Sequence, residues 1–357
     1  MKLTRLFTLL SRTLNWRTAS RLGSRRYGRL GSPRYGVAWR STAVGYGLAL
    51  LLGLVCSAGA ADLPVSIDSK ADQGVLEVRY KGHKLLVYAF ATNQFKPYVR
   101  ELYTLRGENV TRDAPPDHLH HHGLMYAMYV NGINFWEERS TPGIERHVGL
   151  PLHTAGIDSD GTPMATFTEV IHWLAPTNQT APDSQAAALL LEERTLTVTV
   201  DEKEKEVVLR WDSKFQVGQS AGKVTLHGPN YDGLGLRLPE SFNHVAKFQN
   251  AADQPYTGNN TQNVIPARWT SVVGQMEGRA VMLVMFGRTD NARGDSNFFT
   301  MLDPFAYLAV TQGLDKKPLE YAAGDKFSLS YLLTVYSEDK SPEFIRHRCE
   351  RWEKERK

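Results

Sequence analysis

The sequence predicts an all-β protein, a large antiparallel β-sandwich followed by a short C-terminal helix. Three observations carry that prediction. Apolar and polar residues alternate with period 2 along much of the chain, Gly-, Asp-, Asn- and Pro-rich punctuation separates the alternating runs, and helical spacing is confined to the last stretch. Residues 75–80 and 84–88 read as a hairpin turning at Lys81-Gly82-His83. Residues 195–200 and 206–211 flank a charged turn, Asp201 to Lys205. Further strands are expected at 165–173, 223–226, 271–273, 280–286 and 327–336. Ser341-Pro342-Glu343 supplies an N-cap and a first-turn proline, and Phe344, Ile345, Arg348 and Trp352 follow at helical spacing. Residues 1–60 read as a leader, 61–340 as one sandwich domain and 341–357 as an amphipathic tail.

The leader differs in kind from the rest. It carries Lys2 and nine arginines with no acidic residue before Asp62, then the apolar run Gly47 to Val55, then small residues ending Ala58-Gly59-Ala60. A basic segment, a short apolar core and a small-residue exit are the parts of a secretory signal, with cleavage near Ala60. The expected destination is periplasmic or secreted. An uncleaved anchor is the alternative, although the apolar run is short for a membrane span, and no membrane association is expected after cleavage. The chain has 42 basic and 38 acidic residues; without the ten basic leader residues, 32 face 38, a net charge of about −6. Nucleic-acid binding therefore loses its compositional support. Cys349 is the one cysteine beyond the leader, so no intrachain disulfide can form there.

Four of the eleven histidines lie within five residues, in Asp117-His118-Leu119-His120-His121-His122-Gly123. Imidazole titrates near neutral pH and is a common metal ligand. If the run is extended, His118, His120 and His122 share one face and His121 takes the other. Gly123, lacking a Cβ, permits a close approach to the backbone. Downstream, Asn131-Gly132 marks a turn, and Trp136 with Glu138 pairs an apolar face with a carboxylate, as sugar sites do. His147 stands alone. Glu192-Glu193-Arg194 opens a predicted strand, where a surface ion pair is the ordinary outcome. The stretch 230–237 reads as a turn presenting Asp232 and Arg237 to a cleft, which the polar loop 290–295 could also line. There is no nucleophile elbow, and no strand–Gly-rich loop–helix pattern for a nucleotide.

These motifs resemble a known family. Asp113-x-x-x-Asp117-His118-x-His120-His121, Gly123-Leu124, Val130-Asn131-Gly132 and Phe135-Trp136 resemble a family of exported bacterial proteins labelled "methane oxygenase PmoA", a domain of unknown function. The likeness runs over roughly 75–336 and includes His118, His120, His121, Glu138, His147, Glu192, Arg194 and Arg237. Arginine is usual in that family where His122 stands, which suggests that a cation is wanted at this point. The resemblance implies an exported β-sandwich of the supersandwich type found in galactose mutarotase. The oxygenase label does not suit the residues: a membrane monooxygenase subunit is built of spanning helices, and beyond the leader no apolar run has that length.

The expected function is carbohydrate binding or conversion by His/Glu acid–base chemistry. His120, His121 and Glu138 are the expected catalytic groups, with Asp117, His118, Trp136, His147, Asp232 and Arg237 binding or orienting the substrate. One alternative is a metal-dependent enzyme whose divalent ion is held by His118, His120 and His147. Another is a sugar-binding module without turnover. No cofactor is firmly implied.

Overall fold

The computed structural model describes residues 63–181, 183–256 and 263–355, so the expected leader, 1–60, lies outside the described residues. Two large antiparallel sheets share one apolar core. The first has nine strands, in the order Val65–Lys70, Val75–Tyr80, His83–Ala89, Tyr98–Leu102, Leu124–Ala127, Gly233–Arg237, Tyr307–Thr311, Asn297–Met301 and Val264–Pro266. The second has eight, running from Lys247–Asn250 at one edge to Ile144–Ile157 at the other. Tyr88 on Phe167 and Tyr126 on Trp173 join the inner faces, with ring centroids 5.0 and 6.2 Å apart. A four-stranded sheet includes the small hairpin Tyr129–Val130 and Ile133–Asn134. Asn131 and Gly132, at φ 52° and 79°, make its turn, as the sequence suggests.

Alternation places side chains as the period requires. Along Leu190–Asp201, residues Leu190, Glu192, Arg194, Leu196, Val198 and Val200 are buried. Glu192 and Arg194 therefore face the core, correcting the expected surface ion pair: once Leu196 and Val198 point inward, strand parity carries both charges inward with them. Arg194 has no exposed side chain and bonds Glu192 through Nε and Nη2, at 2.8 and 2.9 Å. It also donates to the Pro97 carbonyl, at 2.9 Å, and to Glu145, at 3.3 Å. The helix Pro342–Lys354 is capped by Ser341, whose hydroxyl accepts from the Phe344 N–H. Its buried Ile345, Cys349 and Trp352 pack on the outer face of the eight-stranded sheet, against Val208, Trp269, Met282 and Tyr336.

The run 230–237 is not simply a turn. Gly233–Arg237 is a central strand of the nine-stranded sheet, paired with Leu124–Ala127 and Tyr307–Thr311. Its glycine makes room for what lies above: a Cβ on Gly235 would fall 1.8 Å from the Tyr307 hydroxyl and 2.7 Å from the Trp136 indole. The loop 290–295 is tied elsewhere, with the Asn291 side chain bonded to both backbone groups of Ser330 and Arg288 paired to Asp290.

Candidate functional site

The histidine run is not extended. Pro116 is the second residue of a turn closed by the His118 N–H on the Pro115 carbonyl, at 2.9 Å, and a second turn follows, His121 N–H on His118 carbonyl, also 2.9 Å. Successive turns rotate the side chains, so the expected alternation fails. His118, His120 and His121 gather on one side, with ring centroids 4.5 to 5.7 Å apart, and His122 points away. The backbone then enters Leu124–Ala127 through Gly123, where a Cβ would lie 2.6 Å from the Val99 carbonyl. The close neighbour is therefore the adjacent strand, not a ligand.

The three gathered histidines wall a cavity of about 300 Å³. Tyr231, Phe299, Phe305, Tyr307 and Trp136 give it an aromatic lining, and Glu137 and Arg139 bring charge. The segment carrying Trp136 and Glu137 is set by Asn134, whose Oδ1 accepts from both of their N–H groups at 2.8 and 2.9 Å. Trp136 is only 1 % exposed and meets Tyr231 and Tyr307 edge to face. Its Nε1 is buried without a partner among the described residues.

Asp117 and Arg237 organise the first histidine. The Asp117 Oδ2 lies 2.9 Å from His118 Nδ1 and accepts from Arg237 Nη2 at 3.0 Å. Burial acts on the Asp117 carboxyl, but the bond to His118 and the Arg237 charge outweigh it and hold its pKa below the usual range. His118 Nε2 makes no hydrogen bond among the described residues. Burial, with neighbouring positive charge, lowers His120 to about 4 and His121 to about 2, so both rings are neutral at pH 7. His121 Nδ1, Trp136 Nε1 and the Tyr307 hydroxyl are buried and have no hydrogen-bond partner among the described residues.

Glu138 does not oppose His120 and His121 across the cavity. Its Oε1 receives Lys96 Nζ at 2.7 Å and lies 2.9 Å from His122 Nε2, while His122 Nδ1 lies 2.9 Å from Asp113 Oδ1. Tyr98 stacks on His122 at 4.0 Å. Burial pushes the His122 pKa down, but the bonds to Asp113 and Glu138 outweigh it, and the pKa is raised. His122 is thus held between two carboxylates, away from the cavity. The adjacent Glu137 is the carboxylate that reaches the cavity wall.

His147 lies apart from the cluster. It is buried on the eight-stranded sheet, with Nδ1 2.7 Å from Glu169 Oε2 and Nε2 2.5 Å from the Gly149 carbonyl. With both nitrogens engaged, it is not free to join His118 and His120 around an ion, so the expected metal triad is not assembled. No group of three or more His, Cys, Asp or Glu suited to a metal ion occurs among the described residues. Asp232 is 2 % exposed, and burial, helped by Glu137, raises its carboxyl well above the usual range. It is not among the residues that line the cavity. Lys96, Tyr98, Glu137, Tyr307 and Phe305 escaped the sequence reading; for the turn itself, Pro115-Pro116-Asp117 was the available signal.

An antiparallel β-sandwich with a histidine- and aromatic-walled cavity over its central strands thus defines the class of this protein. The chain belongs to the family of unknown function DUF6807, which it matches over residues 75–349. That description has no counterpart of the oxygenase label, which the comparisons do not support. No curated protein matches the sequence. Among solved structures, an α-galactosidase of the GH36 type from Geobacillus stearothermophilus is similar at TM-score 0.47 and 11 % identity, over 76 % of this chain and 41 % of that one. An α-galactosidase from Lactobacillus brevis is similar at TM-score 0.42 and 7 % identity, over 76 % of this chain and 39 % of that one. A galactose mutarotase related enzyme from Lactobacillus acidophilus is similar at TM-score 0.36 and 7 % identity, over 77 % of this chain and 99 % of that one. The chain thus spans about two fifths of the galactosidases' length. Likenesses this distant carry no argument about the site. Among the described residues no helix is long and apolar enough to cross a membrane.

Proposed function

We propose that the protein binds a sugar in the histidine-walled cavity and transfers a proton on it, with His118 as the acid–base group. The observation that carries this reading is the Asp117–His118 pair, 2.9 Å apart, on the wall of an aromatic-lined cavity. A carboxylate on Nδ1 fixes the tautomer, presents Nε2 as the proton acceptor and stabilises the imidazolium that forms. Arg237 holds Asp117 in place from behind. The neutral His120 and His121 suit hydroxyl binding better than proton transfer at neutral pH, since an acid–base group works best with a pKa near the working pH. Glu137 takes the place expected of Glu138. The aromatic rings accept the C–H faces of a pyranose. The basic, leucine-cored leader supports an envelope or extracellular setting.

A screen of mono- and oligosaccharides against purified protein, read for both binding and conversion, tests this. The reading expects at least one sugar to bind and be converted. Binding without any conversion would reduce the site to a binding module, and no sugar bound at all would remove the reading.

A further inference from the structure

The charges behind the cavity wall narrow the class of sugar, a step that rests on the sugar-site reading above. Arg237, bonded to the same carboxylate as His118, is 1 % exposed and its guanidinium lies 3.4 Å from the Phe305 ring centroid. Phe305 is itself part of the wall and receives His118 and His121 at 4.8 and 5.3 Å. The phenyl ring therefore stands between the guanidinium and the cavity, and Nη2 is already bonded to Asp117. Lys96 has no exposed side chain and is held by Glu138 and the Trp136 carbonyl. His122 lies between Asp113 and Glu138. Lys96 and His122 are thus engaged by carboxylates, and Arg237, whose Nε and Nη1 have no partner among the described residues, is kept from the cavity by the Phe305 ring.

Apart from the carboxylate of Glu137, which would itself repel an anion, what remains on the inner wall is polar and uncharged. His121 Nδ1, Trp136 Nε1 and the Tyr307 hydroxyl, on side chains more than nine-tenths buried, have no partner among the described residues. They can serve hydroxyls as donors or acceptors. A carboxylate pushed against them would meet no cation, and burying an unpaired charge is far costlier than burying a hydroxyl that finds a partner. Arg139, the charged wall residue that could answer an anion, is exposed at the rim.

We propose that the cavity selects sugars whose inserted end is uncharged, neutral hexoses and their glycosides, and rejects uronates, with Phe305 setting that selectivity by screening Arg237. Calorimetric titration of the purified protein with the methyl glycosides of glucose against glucuronate, and of galactose against galacturonate, tests it. The neutral member of at least one pair should bind about a hundredfold more tightly than its uronate. In Phe305→Ala the screen is gone, and uronate affinity should rise about tenfold relative to the neutral partner. Phe305→Leu, which keeps apolar bulk, should retain the wild-type preference. Uronates binding the wild type as well as neutral sugars would overturn the selectivity while leaving a sugar site in place. An unchanged preference in a folded Phe305→Ala protein would overturn the role of Phe305. If none of the four glycosides bound, while the wider screen found another sugar, the hexose assignment would fall; if that screen were also empty, the sugar-site reading would fall with it.

Discussion

His118→Ala is expected to lower turnover of the sugar found by screening by about 10²- to 10⁴-fold, the range of a lost acid–base group. The loss should fall on kcat, with KM changed little, because His120, His121 and the aromatic wall still hold the ligand. Asp117→Asn gives a more discriminating result. A carboxamide can either donate to or accept from His118 Nδ1, so the tautomer presenting Nε2 as acceptor is no longer enforced. It also weakens the 3.0 Å contact with Arg237. Its kcat should drop by about 10²-fold, again without a large KM effect. Glu138→Gln separates this account from the sequence expectation. Because Glu138 serves Lys96 and His122, its loss should act on stability more than on the chemical step. A Glu138→Gln protein that folds normally but has lost as much kcat as His118→Ala would restore Glu138 to the catalytic pair.

The largest stability effect is expected at Arg194. Its guanidinium lies between the sheets, bonding Glu192 twice, Glu145, the Tyr88 hydroxyl and the Pro97 carbonyl, with its carbon 4.6 Å from the Trp211 ring centroid. Glu192 in turn accepts from Trp173 Nε1 and Ser213 Oγ, at 2.9 and 2.6 Å. Burial already holds the Glu145 carboxyl well above its usual range, against the pull of Arg194. Arg194→Met would leave Glu192 buried without its cation. Breaking one partner of a buried pair costs about 3–5 kcal/mol, which for a domain of this size lowers Tm by roughly 10 °C. Arg194→Lys should recover only part of that, since an ammonium cannot make the two-pronged contact to Glu192. Thermal unfolding measures both variants, and a loss under about 1 kcal/mol in Arg194→Met would mean that the network is not the internal tie described.

How legible the sequence was depended on whether a strand is buried on one face or two. The hairpin of Val75–Tyr80 with His83–Ala89, the long pair Leu190–Asp201 and Glu206–Val217, and the helix Pro342–Lys354 carry a period that alternation or spacing exposes. The strands Leu124–Ala127, Gly233–Arg237 and Tyr307–Thr311 are buried at every residue. They lie mid-sheet with the core on one face and cavity-side packing on the other, so no alternation marks them. That is why Gly233–Arg237 reads as a turn and why Tyr307 passes unnoticed. The histidine cluster was visible from composition alone, but its geometry was not. Alternation assumes an extended chain, and the tandem prolines before Asp117 break that assumption, placing His121 inside the cavity and His122 outside it. His147 and Glu138 illustrate a second limit. Sequence gives no register between sheets, so a histidine joined to Glu169 and a glutamate joined to Lys96 look the same as residues of the cavity.

Ring-nitrogen NMR of ¹⁵N-histidine-labelled protein, recorded with and without a bound sugar, is the most direct measurement. The cavity reading predicts that the imidazole signals of His118, His120 and His121 move on ligand addition, while those of His147, His172 and His227 stay in place. Shifts confined to histidines outside the 118–121 turn, with those three rings unmoved, would contradict it.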